Sequence, residues 1–506
     1  MRGPMWNLIA CLLSATLSSP PDLGPAEAAA AWRKAHGAEI LAEFADFLRL
    51  PNVAADRDDI RRNAEWIRAA FARRGVELEI VEVEGAPALV TGRLETPGAG
   101  GTLGLYTHFD GQPVDASQWS FDPWEPALCD RALEAGGKRI PFPKPGAPID
   151  GEWRLYGRAT GDDKAPILAL LAALDALQDA GRPLTSNLVF LFEGEEEAGS
   201  DHLGASMRQL GDRLKADLWL ILDGPVHQSR KPQLVFGVRG YARLDVTVYG
   251  AARYLHSGHY GNWAPNPGLR LARLLASMRD DQGNVLVDGY YDSVEPVGDE
   301  LAEALKTIPP FEDALREEFQ LKESEAGNAP YLERILLPSL NVRGLKSATV
   351  GPTARNIIPP TATASLDLRL VKGNDPERML DLVERHIERQ GYHLVRAEPS
   401  REERLKYARI ARVDRNAGYR AVRTSMHLPA VAKIRRAVEC ACGEPPVLMP
   451  TMGGSLPLYL FEDLLESPIV IVPIANHDDN QHAPDENLRL ANLWYGIDLM
   501  ACLLGG

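Results

Sequence analysis

The chain has 506 residues, of which 45% are hydrophobic and 25% charged, and its formal net charge is −15. These values are typical of a globular protein, and the length predicts two domains. The acidic balance and the lack of a basic cluster argue against nucleic acid as a partner. Five cysteines over this length do not make a disulfide scaffold, and we interpret Cys440 and Cys442 as packing residues.

The N-terminus has the pattern of a secretory signal peptide. Arg2 precedes an apolar run over residues 6–17, and a Ser-Ser-Pro-Pro sequence follows it. Because the run is too short to span a bilayer as a mature helix, we expect no integral membrane segment in the mature chain. Residues 1–26 are therefore predicted to be a signal peptide of a periplasmic or secreted protein. A lipoprotein box ending at Cys11 and a weakly structured extension are the alternatives.

Four apolar runs predict buried strands, and each is followed by side chains that can bind a metal ion. The runs cover residues 102–107, 188–192, 218–222 and 468–473. Helices are predicted over 27–50 and 163–180, so strands and helices alternate up to about Arg239. This order predicts an α/β fold, a mostly parallel sheet with helices on both faces.

The candidate ligands come at the ends of these runs and in the loop before the second helix. In open α/β sheets the ligand crevice lies outside the carboxyl ends of the strands, so the side chains should meet at one edge. They are His108, Asp162, Glu196, Glu197, Asp223 and His482. Two imidazoles and several carboxylates suit a pair of zinc-like ions with a position left for water. The alternative for the acidic run at 193–197 is a solvated loop.

From Gly240 the pattern changes to strands with one buried face. Apolar and polar residues alternate over 244–248 and again over 364–370, and helices are predicted at 269–278 and 376–390. These elements predict a smaller α+β domain inserted into the first. The expected boundaries are 27–239 and 413–506 for the catalytic domain and 240–412 for the inserted lid or dimerisation domain.

Three segments carry a family resemblance. They are His108-Phe109-Asp110, the run 157–164 with sequence GRATGDDK, and the run 193–200 with sequence EGEEEAGS. Together they resemble the M20 family of co-catalytic metallopeptidases, especially its dipeptidase and carnosinase-like branch. The resemblance implies that His108 is a metal ligand oriented by Asp110, and that Asp162 bridges two metal ions. It also makes Glu196 the general base and Glu197 a ligand, a choice that spacing alone leaves open.

The resemblance extends to further site residues. Asp223 and His482 take the remaining ligand positions, and His256 takes that of a histidine that reaches across a dimer to the scissile carbonyl. Asn356 and Arg369 resemble lid residues that hold the substrate's C-terminal carboxylate. The glycine-rich loop around Ser455 resembles the segment beside that carboxylate.

The resemblance implies a metal-dependent exopeptidase that hydrolyses dipeptides or short peptides with a free C-terminal carboxylate. A hydroxide held by two divalent ions would be the nucleophile; Zn²⁺ is favoured, with Mn²⁺ or Co²⁺ as alternatives. A homodimer through the inserted domain is expected. The alternatives are an N-acyl-amino-acid deacylase, a glutamate-type carboxypeptidase on the same site, or an inactive peptide-binding homologue. All the ligands and Glu196 are present, which argues against the inactive homologue.

Overall fold

The computed structural model describes residues 23–327 and 329–506. Its strands are β1 (Glu79–Val81), β2 (Leu89–Leu94), β3 (Thr102–His108), β4 (Ala127–Cys129), β5 (Arg154–Tyr156), β6 (Asn187–Glu193), β7 (Leu218–Ile221), β8 (Gln233–Val235), β9 (Gly237–Val238), β10 (Gly240–Tyr249), β11 (Leu255–His256), β12 (Ser339–Lys346), β13 (Ile357–Ile358), β14 (Thr361–Leu370), β15 (His393–Val395), β16 (Ile410–Tyr419), β17 (Val422–Arg423), β18 (Val447–Met449), β19 (Ile469–Ile471) and β20 (Asn487–Arg489).

The helices of the described residues are α1 (Pro25–Leu48), α2 (Arg57–Ala72), α3 (Lys164–Asp179), α4 (Leu203–Leu210), α5 (Ser257–Tyr260), α6 (Pro267–Ala276), α7 (Asp299–Thr307), α8 (Glu312–Glu318), α9 (Tyr331–Ile335), α10 (Pro376–Arg389), α11 (Arg401–Lys406), α12 (Pro429–Cys442), α13 (Tyr459–Leu465) and α14 (Leu490–Gly505). None of these helices is both long and apolar enough to cross a membrane. The predicted signal peptide lies outside the described residues except for 23–26, and α1 already begins at Pro25.

The catalytic domain is built on an eight-stranded sheet with the order β1-β2-β6-β3-β7-β19-β8-β18. The four strands predicted from the apolar runs are adjacent at its centre, and β6, β3, β7 and β19 pair in parallel. Their carboxyl ends therefore share one edge, as the sequence predicted.

Helices cover both faces of this sheet. Successive strand residues point to opposite faces, so Leu105 packs with α1, α3 and α14 while Tyr106 packs with α4 and α13. Helix α3 is buried along nearly its whole length because it lies beneath α1 and α14. Its apolar character on all sides follows from that position.

The segment before Asp162 lies outside the main sheet. Strand β5 pairs with β4 and β20 in a separate three-stranded sheet. Asp162 therefore reaches the ligand edge through the loop between β5 and α3 and does not follow a strand of the main sheet.

The inserted domain is a five-stranded sheet, β12-β14-β10-β16-β15, with α6 and α10 packed on one face. The expected boundary at 412/413 falls inside β16, which pairs with β10 and carries the lid sheet on to Tyr419. The boundary was placed too early because β16 is mostly exposed beyond Val413 and has no apolar pattern there. Helices α7 and α9 lie within the expected lid range, yet their apolar residues pack into the catalytic-domain core.

One cysteine interpretation is corrected by the structure. Cys440 at the end of α12 forms a disulfide with Cys502 of α14, 62 positions away in sequence. The interpretation of Cys440 as a packing residue is therefore wrong. The disulfide could not be predicted from local cysteine spacing, because the partner is distant in sequence. Cys129 and Cys442 are free thiols.

Candidate metal centre and substrate cleft

Asp162 lies at the centre of the candidate metal site. His108 Nε2 is 2.9 Å from its Oδ1 atom, and His482 Nε2 is 3.1 Å from its Oδ2 atom. Asp162 belongs to two groups of potential ligand atoms, one with His108 and Asp223 and the other with Glu197 and His482. Its two oxygens thus face different ligand sets, which is the arrangement required of a carboxylate that bridges two cations.

The donor atoms fit a pair of divalent metal ions. Ligand atoms around a tetrahedral zinc are roughly 3.3 Å apart, close to the separations between Asp162 and the two histidines. The mixture of imidazole and carboxylate is one that zinc, manganese and cobalt accept. The donor set and its spacing could therefore hold two such ions.

The electrostatics of the cluster favour bound cations. Burial, together with the charge of Asp162, raises the pKa of Asp223 to about 7. Burial opposes ionisation of Asp162, but hydrogen bonds to His108 and His482 hold its pKa below the usual range. Hydrogen bonds to Asp162 and Glu197 raise the pKa of His482 to about 10. Carboxylates crowded in this way repel one another, and divalent cations relieve that repulsion.

Asp110 connects the first histidine to the glutamate loop. Its carboxylate accepts hydrogen bonds from the backbone N–H groups of Glu196 and Glu197, both at 3.0 Å. The His108 Nδ1 atom lies 3.1 Å from the Asp110 carbonyl oxygen and 3.4 Å from its Oδ1 atom. Asp110 therefore fixes both the imidazole and the loop that carries the two glutamates.

The three consecutive glutamates after β6 point to different places. The Glu195 Oε1 atom is 2.8 Å from His202 Nδ1, so this side chain is directed away from the ligand cluster. Glu197 lies beside His482, and Gln112 Nε2 donates to it at 2.8 Å. Glu196 Oε2 stays 3.8 Å from His108 Nε2, and burial raises the pKa of Glu196 well above its usual range. Glu197 therefore belongs to the group of potential ligand atoms, while Glu196 lies beside it.

Glu486 is a buried residue to which the sequence alone assigns no role. Its carboxylate accepts hydrogen bonds from the Arg158 guanidinium at 2.8 Å and from the backbone N–H of Ala159, Gly161 and Asp162 at 3.0–3.1 Å. The side chain is fully buried. Glu486 therefore holds the loop that presents Asp162, and Gln481 adds a hydrogen bond to Asp162 Oδ2 at 2.8 Å.

A cavity of about 680 Å³ opens above the ligands, between the two domains. The catalytic domain contributes Asp162, Glu196, Glu197, Asp223 and His482, and the lid sheet contributes Arg243, Arg369 and Tyr419. Ser455 lines the same cavity and accepts a hydrogen bond from Arg369 Nη1 at 2.8 Å. The expected carboxylate-binding pair, Arg369 and Ser455, thus faces the candidate metal ligands.

Comparison with known proteins identifies the family of this scaffold. The sequence model of "Peptidase family M20/M25/M40" matches residues 104–505. The chain belongs to this family. It is thus a hydrolytic metallopeptidase that depends on divalent metal ions, and the family resemblance inferred from its sequence is confirmed.

Two curated relatives of this M20 peptidase align over most of its length. The Cys-Gly metallodipeptidase dug1 of Schizosaccharomyces pombe is 24% identical over 91% of this chain and 94% of its own. The Beta-Ala-His dipeptidase of Homo sapiens is 27% identical over 82% of this chain and 76% of its own.

Solved M20 structures share the fold. The metallo-carboxypeptidase Sso-CP2 of Sulfolobus solfataricus superposes with a TM-score of 0.73 and 25% identity, covering 92% of this chain and 98% of its own. Human carnosine dipeptidase 1 superposes with a TM-score of 0.72 and 23% identity, covering 96% and 98%. The expected α/β fold with an inserted lid is confirmed by this likeness.

Two expected site residues of the peptidase do not line the cavity. His256 in β11 and Asn356 just before β13 are both exposed on the lid, where Ser257 N donates to the Asn356 carbonyl at 3.1 Å. The His256 ring lies 4.6 Å from that of His259, and its Nδ1 atom accepts a hydrogen bond from the Gly258 backbone N–H at 3.0 Å. His256 therefore lies outside the cavity that holds the candidate metal ligands.

Proposed function

We propose that this M20 peptidase is a dinuclear-metal exopeptidase that cleaves dipeptides and other short peptides with a free C-terminal carboxylate. The observation that carries the proposal is the position of Arg369, which faces the Asp162-centred ligands across one cavity and is braced by Ser455. A guanidinium presents a fork that matches a carboxylate bidentately. An anchor in the same cavity as the metal site would select substrates that end soon after the scissile bond.

The proposed cofactor is a pair of divalent ions that share Asp162, with Zn²⁺ favoured and Mn²⁺ or Co²⁺ as alternatives. His108 and Asp223 would complete one ligand set, and Glu197 and His482 the other. Bound ions of this kind polarise a peptide carbonyl and bring the pKa of water to about 7.

The chain's own residues would transfer the proton, bind the substrate carboxylate and donate a hydrogen bond to the scissile carbonyl. Glu196 takes the proton of the attacking water and passes it to the leaving amine, a task suited to a carboxyl whose pKa is raised by burial. Arg369 and Ser455 hold the C-terminal carboxylate. In a homodimer formed through the lid, His256 of the second subunit would donate a hydrogen bond to the carbonyl oxygen, with Asn356 beside it.

The names of the relatives support the substrate class. The Cys-Gly metallodipeptidase and the Beta-Ala-His dipeptidase are both named for dipeptide substrates. One structural neighbour is described as a metallo-carboxypeptidase, so removal of a C-terminal residue from somewhat longer peptides is the second candidate. An N-acyl-amino-acid deacylase would use the same carboxylate anchor.

We further propose that the protein is exported. The signal-peptide pattern of residues 1–26 is one support. The disulfide between Cys440 and Cys502 is another, because disulfides persist mainly in oxidising compartments.

The anchor is tested by comparing peptide acids with peptide amides. Arg369→Ala should raise KM for a dipeptide by about 10- to 150-fold, since a charge-assisted hydrogen bond contributes roughly 1.5–3 kcal/mol. The same change should matter far less for the dipeptide amide, which has no carboxylate to hold. An equal penalty on both substrates would assign Arg369 a purely structural role. A parallel panel of dipeptides and N-acetyl amino acids separates peptidase from deacylase activity.

A further inference from the structure

A second arginine faces the cavity beside Arg369. Arg243 on β10 lies directly opposite Asp367 on β14, and Arg369 follows two residues later on the same face of the sheet. Both arginines line the cavity that contains the candidate metal ligands. Diagonal neighbours on paired strands lie about 7–8 Å apart or less, so two long side chains can reach one small ligand together.

The hydrogen bonds of the two arginines differ. Arg369 donates through Nε to Asp367 Oδ2 at 2.9 Å and through Nη1 to Ser455. Arg243 Nε is 3.5 Å from Asp367 Oδ1 without a hydrogen bond, and its guanidinium stacks over the Tyr241 ring at 4.4 Å. Among residues 23–327 and 329–506, none accepts a hydrogen bond from Arg243 Nη1 or Nη2.

The positive charge at this end of the cavity exceeds the negative charge beside it, so a further anion could bind there. Two guanidiniums lie beside a single carboxylate, that of Asp367. The carboxylates that line the cavity belong to the candidate metal ligands and Glu196. Stacking on Tyr241 limits the freedom of the Arg243 guanidinium and so lowers the entropic cost of binding. Arg243 is thus a partly ordered, hydrogen-bond-deficient cation next to the proposed C-terminal anchor.

We propose that Arg243 is a specificity-determining residue that binds the side-chain carboxylate of a C-terminal glutamate or aspartate. Arg369 would hold the C-terminal carboxylate of the same residue. The inference rests on the proposed function and narrows its substrate class to peptides with an acidic C-terminal residue. A site built around charged donors discriminates strongly against an analogue that cannot satisfy them.

The test compares the isosteric dipeptides Ala-Glu and Ala-Gln. The wild-type enzyme should have the higher kcat/KM for Ala-Glu, and Arg243→Gln should lower the ratio of the two kcat/KM values by about tenfold, the lower end expected for a charged hydrogen bond. The lower end applies because the Arg243 side chain is 39% exposed. Added salt should also reduce the wild-type preference, since the pair is partly solvated.

Arg412→Gln is the matched control. Arg412 lies on the same face of the lid sheet, opposite Thr247, and its side chain is 33% exposed. It is paired with Asp414 through Nε at 2.9 Å and does not line the cavity. This variant should keep the wild-type ratio.

The outcomes separate the inference from the proposed function. If Arg243→Gln lowers both kcat/KM values equally, Arg243 only orients Asp367 and Arg369, and the inference is overturned. If the variant keeps both kcat/KM values at the wild-type level, the inference is overturned as well, while the dipeptidase proposal stands because Ala-Gln is cleaved. If the wild-type enzyme with its metal ions cleaves neither peptide, the proposed function fails and the inference fails with it.

Discussion

The three glutamates after β6 have distinct environments although they are consecutive. The short 3-10 turn over Glu196–Ala198 directs Glu195 toward His202 and leaves Glu196 and Glu197 at the ligand cluster. The backbone N–H groups of Glu196 and Glu197 donate hydrogen bonds to the Asp110 carboxylate, and these bonds fix that turn. A change at each position should therefore have a different consequence.

Glu196→Gln should leave the metal content nearly intact and lower kcat by about 10²–10⁴-fold, the usual cost of losing a general base. The amide keeps the size of the side chain but cannot accept a proton. Metal analysis and dipeptide kinetics on the same preparation provide the measurement. Glu195→Gln is the matched control and should retain most activity. The assignment is wrong if the control is the inactive variant and Glu196→Gln stays active.

At the residue scale, the sequence predicts the candidate ligands better than it predicts the hydrogen bonds that position them. His108, Asp162, Asp223 and His482 could be named because each follows an apolar run or a recognisable motif. The role of Glu486 could not be predicted from the sequence, because its hydrogen bonds join residues up to 328 positions apart. The cavity position of Arg243 likewise depends on how the lid sheet lies over the catalytic domain.

At the scale of elements, the disulfide joins the two helices α12 and α14 on the same side of the main sheet. Cys440→Ser or Cys502→Ser should lower the free energy of unfolding by about 2–4 kcal/mol, because the bond restricts the unfolded chain over a long loop. Urea unfolding without reductant measures the effect. Cys442→Ser, on the same helix, should change it by less than about 1 kcal/mol.

Reductant provides the second comparison for this prediction. It should destabilise the wild-type protein but leave the Cys440→Ser variant almost unaffected. Equal stability of the wild type with and without reductant would mean that the bond does not form in solution.

Elements with a strong apolar pattern were predicted well. The four central strands and the helices α1, α3, α6 and α10 lie within a few residues of their expected positions. The end of the lid was not predicted well, because β16 beyond Val413 pairs with β10 but has no buried apolar face there. Tertiary pairing of this kind leaves no periodic signal in the sequence.

At the scale of the whole molecule, the proposed homodimer predicts a site shared between subunits, to which the exposed His256 of the second subunit contributes. Mixing Glu196→Gln protein with His256→Ala protein should restore about one quarter of wild-type activity after full subunit exchange, because half of the dimers are mixed and each has one complete site. Activity is measured before and after exchange, and exchange itself is followed with differently tagged subunits.

The control pair is Glu196→Gln with Asp162→Ala. Both changes lie in the part of the site that one chain provides, so no mixed dimer has a complete site and no activity should return. If the His256→Ala mixture behaves like this control although the subunits exchange, His256 does not act across a dimer.

The proposed function requires that Asp162 and its neighbours hold two divalent ions and that hydrolysis depends on them. The most direct measurement is a titration of metal-depleted protein with Zn²⁺, in which bound metal and dipeptide hydrolysis are followed together, with Asp162→Ala as the comparison. We expect two ions per wild-type chain, activity that returns as they bind, and loss of tight binding of both ions in Asp162→Ala. Dipeptide hydrolysis by the metal-free protein, or two ions still bound tightly to Asp162→Ala, would contradict this account.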